Sequence, residues 1–343
     1  MIHSKSLVGG GLWALERAKQ NIGDGAEKAP FDPARVQRNH DVAAALWSRR
    51  AALPPTYQTA IKNAETLVQC AAQGVCQRLL PLKIAFPTVL SVGNQVVQPF
   101  VKKAYAETVA QNPKLAPQEK PYQWLWADAG PDDWQKLVPF AVKADLVLCS
   151  LWLHGANAPN VALEALFHCL RPGGLMIANF WGGETLMGLR HALAAADFHH
   201  FGATYPRVHP FIPLDTASGL LGQTAFRLGV VDQDFFTFKY HAIRDLVLHL
   251  KVLGDGRALA APSAPFAGKA FWDHAAELMK TPPDNTNCAV TKASRAIQDT
   301  FHLITLTGWR DGPGIPKPLA RGSATQSLQD ALGPPAHDRR SKS

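Results

Sequence analysis

Cysteine is scarce in this 343-residue chain, and it never occurs as a closely spaced pair. The five cysteines, Cys70, Cys76, Cys149, Cys169 and Cys288, contain no C-x-x-C, which excludes the usual zinc and dithiol redox motifs. Cys70 and Cys76 fall about 240° apart around a helix and so face different sides. Free, buried thiols in a reducing compartment are expected: the cytoplasm if the source is bacterial, the mitochondrial matrix if it is eukaryotic. Long apolar runs are missing as well. None approaches the roughly 18–20 residues of a membrane helix, so no membrane span is expected. The N-terminus has no secretory apolar region; Lys5, Arg17 and Lys19 leave a mitochondrial presequence open, and Glu16 speaks against one. Despite a net charge of +8, the basic residues form no dense face interleaved with aromatics, so nucleic acid is not an expected partner. No Ser/His/Asp triad or phosphate loop is present, and the 13 histidines show no H-E-x-x-H-like spacing and no metal-ligand set.

What is present is a large core. Hydrophobic residues make up 47% and charged residues 18%, the balance of a globular protein. The chain centres on Asp145 to Glu184. Two short apolar runs, Asp145 to His154 and Leu175 to Phe180, flank a helical segment from Val161 to Arg171. Strands covered on both faces need no polar alternation, so this reads as one βαβ unit of a parallel sheet. Ala162, Leu163, Leu166 and Leu170 form the helix's apolar side. Pro172 ends the helix, and Gly173 and Gly174 permit a turn back into the sheet. Ligands of such open α/β sheets lie at the carboxyl ends of the strands.

Upstream, Asp32 is an expected N-cap with Pro33 at the first helical position. A second helix is expected from about Tyr57 to Leu80, with Ile61, Ala64, Val68, Ala71, Val75 and Leu79 buried at a 3.6-residue period. Phe86 to Gly93 reads as the first strand and Tyr122 to Asp128 as the next, with no strand legible from Glu107 to Lys120. Pro131 to Asp133 is expected to start a short helix. Glu184 to Ala196 and Asp215 to Gln223 read as helices, with Glu184 as a candidate cap of the first. Pro206 to Phe211 reads as a loop, Gly229 to Tyr240 as a strand pair or one long strand, residues 241–298 as helical, and Phe301 to Leu306 as the last strand. The tail from Pro334 to Ser343 is expected to be disordered.

In order, these segments resemble the class I S-adenosylmethionine-dependent methyltransferases. They are most similar to the branch that holds the malonyl-carrier-protein methyltransferases of biotin synthesis and the complex I assembly factor 5 proteins. The resemblance runs from Phe31-Asp32 through Ala144 to His154, Leu170 to Gly174, Gly182 to Leu186, Pro206-Arg207-Val208 and Pro210-Phe211. It continues through Leu306-Thr307-Gly308-Trp309 and Pro316-Lys317-Pro318-Leu319 to Arg321-Gly322-Ser323-Ala324. It implies a Rossmann-like α/β fold with a mostly parallel seven-stranded sheet, helices on both faces, N-terminal helices and a helical insertion before the last strand. The implied division is an extension over 1–30, a helical segment over 31–83, a methyltransferase-like domain over 84–309, and a C-terminal signature and tail over 310–343.

The resemblance also implies S-adenosylmethionine as cofactor, a protein substrate or assembly partner, and methylation or arginine hydroxylation as the reaction. One departure works against catalysis. The family's first strand ends in an acid followed by G-x-G-x-G, where a Cβ would block the cofactor. Here Ser91 replaces the acid, Gly93 remains, and Gln95 and Val97 stand where glycines belong. The ribose-binding acid has no counterpart, whereas Asp128 resembles the acid near the adenine. Ser91, Gly93, Gln95, Asp128 and Ser150 are thus the expected cofactor contacts, and His154 and Arg207 the catalytic candidates. Arg35 and Arg38 belong either to a helical lid or to a solvated helix face. Trp152 and Trp181 read as packing. The alternative to an enzyme is a catalytically silent methyltransferase fold that acts as a binding or assembly factor.

Overall fold

The computed structural model describes residues 29–117, 121–260, 264–280 and 296–315. The N-terminal extension up to residue 28, Cys288, the signature residues from Pro316 onward and the tail lie outside the described residues.

Helix α1 spans Pro33–Ser48, and the expected cap is in place: Asp32 Oδ1 accepts from the backbone N–H of Ala34 (3.0 Å) and Arg35 (3.3 Å). Helix α2 spans Pro55–Gln77. Ile61, Ala64, Val68, Ala71 and Val75 are all buried, as their period requires, and Leu79 is buried just beyond the helix.

Six strands follow: β1 Thr88–Val92, β2 Gln123–Ala127, β3 Ala144–Ser150, β4 Leu170–Trp181, β5 Arg227–Tyr240 and β6 Ile297–Trp309. They form one sheet in the order β2-β1-β3-β4-β6-β5. The first four are parallel, and β6 runs antiparallel to both of its neighbours. This order, with a reversed strand slotted between β4 and β5, is the Rossmann-like methyltransferase arrangement with six strands among the described residues instead of seven. The missing strand has a local cause. The polar stretch after Glu107 completes helix α3 (Gln98–Gln111) and a short 3₁₀ turn at Pro113–Leu115, so β2 pairs directly with β1.

Both faces of the sheet are covered, which explains the apolar runs. Leu146, Leu148, Leu175 and Ile177 point into a core shared with α2. Val147, Cys149, Met176 and Ala178 point into a second core shared with helix α4, Pro159–Cys169. The Pro172-Gly173-Gly174 turn lies within the length of β4. Leu170 already pairs with Ala144, the next residues bulge outward, and pairing resumes at Leu146 and Leu175. Arg310 holds the bulge by taking the Gly173 N–H on its carbonyl (3.0 Å) and donating from Nη1 to Leu170 O (2.6 Å).

Helix α5, Met187–Phe201, starts later than expected because Leu186 adopts a left-handed φ of 58°. Its cap is Asp299 of β6, not Glu184: the Asp299 carboxylate accepts from Gly188 N (3.3 Å) and Leu189 N (2.7 Å). Asp133 is followed by a 3₁₀ segment, Trp134–Phe140, as the short helix. Helix α6 spans Leu214–Gly222, β5 is one long strand and not a pair, and the insertion before β6 holds helices α7 (Ile243–Leu253) and α8 (Lys269–Lys280).

Candidate functional site

In a sheet of this order the ligand cleft lies beyond the carboxyl ends of β1, β2 and β3. The turn after β1 is built for packing. Gly93 has φ +150°, and a Cβ there would stand 2.9 Å from Ser150 O of β3. Glycine is therefore required by the close approach of two neighbouring strands, independently of any cofactor. Asn94 Oδ1 accepts from the backbone N–H of Val96 (3.0 Å) and Val97 (3.1 Å), starting α3. Both valines are buried, with Val97 in the core beside α2.

Gln98 closes the turn from inside. In the amide orientation that satisfies both ends, it donates to Ser91 Oγ (2.7 Å) and accepts from Gly93 N (3.3 Å) and Trp126 Nε1 (3.2 Å). Ser150 is equally internal: its hydroxyl donates to Asn179 Oδ1 (2.8 Å), and Asn179 Nδ2 donates to Ala71 O of α2 (2.8 Å). Of the five expected cofactor contacts, Ser91 and Ser150 are thus fully buried and bonded to protein. Gln95 and Asp128 do meet at the mouth, where Gln95 Nε2 donates to Asp128 Oδ2 (3.2 Å).

Helix α1 covers that mouth. Gln37, His40 and Asp41 face Asn94, Gln95, Asp128 and Ala129 across a crevice of about 10 Å³. A single water needs roughly 10–15 Å³, and small-molecule pockets are typically about 300–1,000 Å³. The cover is fastened to the end of α7 and the segment after it. Asp32 N donates to Ala258 O (2.8 Å), Arg35 Nη1 to Leu259 O (3.0 Å), Asn39 Nδ2 to Gly256 O (2.7 Å) and Trp47 Nε1 to Val252 O (2.8 Å). Asn157 pins the start of the helix by bonding both the N–H and the carbonyl of Phe31. Of the two arginines, Arg35 therefore fastens the cover, while Arg38 is exposed. Among the described residues, this mouth holds no space for S-adenosylmethionine. Side chains occupy the places of two glycines, with Gln95 under α1 and Val97 buried in the core beside α2.

Behind the cover lies a buried polar cluster. His154, in the 3₁₀ turn Leu153–Gly155 after β3, places Nε2 3.0 Å from Asp255 Oδ1. Trp181 Nε1 donates to Asp255 Oδ2 (2.7 Å). Burial pushes the Asp255 carboxyl up, but the His154 ring and the two hydrogen bonds outweigh it, and the net shift is downward. His40 is lowered, chiefly by burial and against the pull of Asp255. His209 Nε2 accepts from Ala258 N (2.6 Å), and burial brings this imidazole down to about 4. A neutral histidine accepting on one nitrogen is the result. Trp152 is a packing residue whose indole donates to Ala129 O (2.7 Å).

Arg207 is drawn into a different cluster. Its Nη2 is 2.7 Å from Asp197 Oδ1, its Nε donates to the same carboxylate, and its guanidinium lies 4.5 Å from the Phe271 ring centroid. Asp197 is fully buried, so the arginine is a structural counter-ion joining α5 to the Pro206 loop and α8. The sequence did not mark Asp255, the centre of the His154 cluster. Its only signal is an acid between Gly254, which ends α7 in a left-handed conformation, and Gly256.

No family model matches the chain. The zebrafish (Danio rerio) protein named arginine-hydroxylase NDUFAF5, mitochondrial, is 26% identical over 273 residues, covering 75% of this chain and 78% of that one. The human protein of the same name is 28% identical over 57% of this chain and 54% of its own length. The chain likewise spans about half the length of the rat and mouse relatives. A malonyl-[acyl-carrier protein] O-methyltransferase from Laribacter hongkongensis is 27% identical over 70% of this chain and 80% of that one. These relatives place the chain's similarity in the class I methyltransferase-like branch. A solved S-adenosylmethionine-dependent methyltransferase from Archaeoglobus fulgidus is similar at a TM-score of 0.32 and 12% identity, over 70% of this chain and 94% of that one. The fold assignment rests on the strand order and not on that superposition. Among the described residues, no helix is long and apolar enough to cross a membrane.

Proposed function

We propose that this chain is a complex I assembly factor of methyltransferase type that works by binding a protein partner, with its ancestral cofactor cleft closed. The observation that carries this reading is the sealed mouth: α1 lies over Gln95 and Asp128 and leaves about 10 Å³. Similarity to the NDUFAF5 proteins supports the assembly role, and the narrow mouth at Gln95 and Asp128 supports a role without cofactor chemistry. Its buried thiols suit a reducing compartment, cytoplasmic in a bacterium or the matrix in a mitochondrion: burial pushes Cys76 and Cys169 up to about 12, where they are unreactive.

A second reading, a protein-modifying enzyme using S-adenosylmethionine, draws on the buried His154–Asp255 pair behind the crevice. It requires α1 to leave its seat. Calorimetry and thermal shift with S-adenosylmethionine on the full chain separate the two. A ligand at about 100 times its Kd stabilises the fold by roughly 2.7 kcal/mol. The binding-factor reading expects no heat and no shift at millimolar cofactor; saturable binding that tightens in the Gln95→Gly, Val97→Gly double variant would overturn it.

A further inference from the structure

Three histidines unconnected with the cleft converge on the far side of the insertion. His199 and His200 stand in the last turn of α5, and His274 projects from the middle of α8. The ring centroids lie 4.5 Å apart for His199 and His274, 5.6 Å for His200 and His274, and 5.0 Å for the two neighbours. One nitrogen from each ring can be chosen so that all three lie within 4.8 Å of one another. Nδ1 of His274 is buried and has no hydrogen-bond partner in the structure. A buried ring nitrogen normally finds one, so this atom is available to a ligand.

We propose that His199, His200 and His274 form a site for a divalent transition metal, zinc foremost, that clips the end of α5 to α8. Imidazole nitrogens favour zinc, copper, nickel and cobalt over magnesium or calcium. Zinc–nitrogen bonds of about 2.0–2.1 Å place tetrahedral ligand atoms about 3.3 Å apart, so the rings need only rotate inward. His199 and His200 are exposed and free to do so, and the exposed side leaves a fourth position for water. The carboxyl end of α5 adds the negative end of its helix dipole. Beneath the site the two helices are already aligned, because Phe271 packs against Phe201 (5.9 Å between centroids) and Arg207 lies over both rings. The charge of Arg207 is matched by Asp197 and does not oppose a cation.

Calorimetric titration of the chelator-stripped full chain with Zn²⁺, alongside absorption spectroscopy with Co²⁺, tests the site. One zinc per chain, a cobalt spectrum typical of nitrogen ligands at low coordination number, and a raised Tm with zinc are expected. Each of His199→Gln, His200→Gln and His274→Gln should weaken binding about tenfold or more, since even groups that only support a ligand change affinity by about 10–100-fold. His199 and His200 are exposed, so their variants keep the test valid if His274→Gln fails to fold. No stoichiometric zinc binding, or binding equally tight in the triple variant, would overturn the proposal and leave three imidazoles in edge-to-face contact.

Discussion

His154 Nε2 lies 3.0 Å from Asp255 Oδ1 across 101 residues of sequence, and the other oxygen of that carboxylate takes the Trp181 indole N–H. One acid thus ties the turn after β3, the end of β4 and the segment after α7. That segment is also where α1 is fastened, so the pair supports the cover over the cleft.

Asp255→Ala leaves two buried donors without an acceptor. Each orphaned donor costs about 1–3 kcal/mol, so a loss of roughly 3 kcal/mol or more is expected in urea unfolding. Trp181 fluorescence should change in the same variant. A stability within about 0.5 kcal/mol of the parent would show that water replaces the carboxylate at no cost.

Acid should weaken the fold well before the carboxylates titrate. Burial lowers His209 from 6.5 to about 4 and His249 from 6.5 to about 3. Between those values the unfolded chain binds protons that the folded chain refuses, so stability is complete above pH 6.5 and falls as pH drops toward 4. Each group contributes about 1.4 kcal/mol per pH unit within its window. Asp255, lowered from 3.8, adds its own loss only below that value. Unfolding free energies at pH 7 and pH 5 measure the slope, and His249→Gln should flatten it.

Arg207→Ala should be among the most harmful single changes. It strands the buried Asp197 carboxylate, an effect of about 3–5 kcal/mol. Arg207→Lys should recover only part of this, because an ammonium cannot reproduce the forked contact or lie flat on Phe271. Equal stability of the lysine variant and the parent would argue that charge alone matters there.

Gly93→Ala should lower stability by about 1–3 kcal/mol, whether or not any cofactor is present. The strain arises from φ +150° and from Ser150 O at 2.9 Å. An unchanged Tm would mean that β1 and β3 can separate slightly at their carboxyl ends.

The βαβ unit and α2 were legible in the sequence because burial on both faces, or on one helical face, leaves a direct apolar pattern. Helix α3 was poorly marked because Val96 and Val97 precede it and its buried side includes Gln98 and Thr108. Glu184 looked like a cap because acids favour helix starts, yet the tertiary partner Asp299 took that role. Ser91 and Ser150 lie near the carboxyl ends of β1 and β3, but a sequence does not reveal whether a hydroxyl points outward or into Gln98 and Asn179. The histidine trio and the His154–Asp255 pair depend on contacts between distant segments, which no local spacing encodes.

The seat of α1 also sets a rule for affinity. Any small molecule that uses the old cleft must bind the fraction of chains whose cover is lifted, so its apparent affinity is the intrinsic one scaled by that fraction. A cover favoured by about 4 kcal/mol weakens binding roughly a thousandfold. A protein partner that draws α1 aside would restore the same factor, and the small molecule would in turn strengthen the partner's grip.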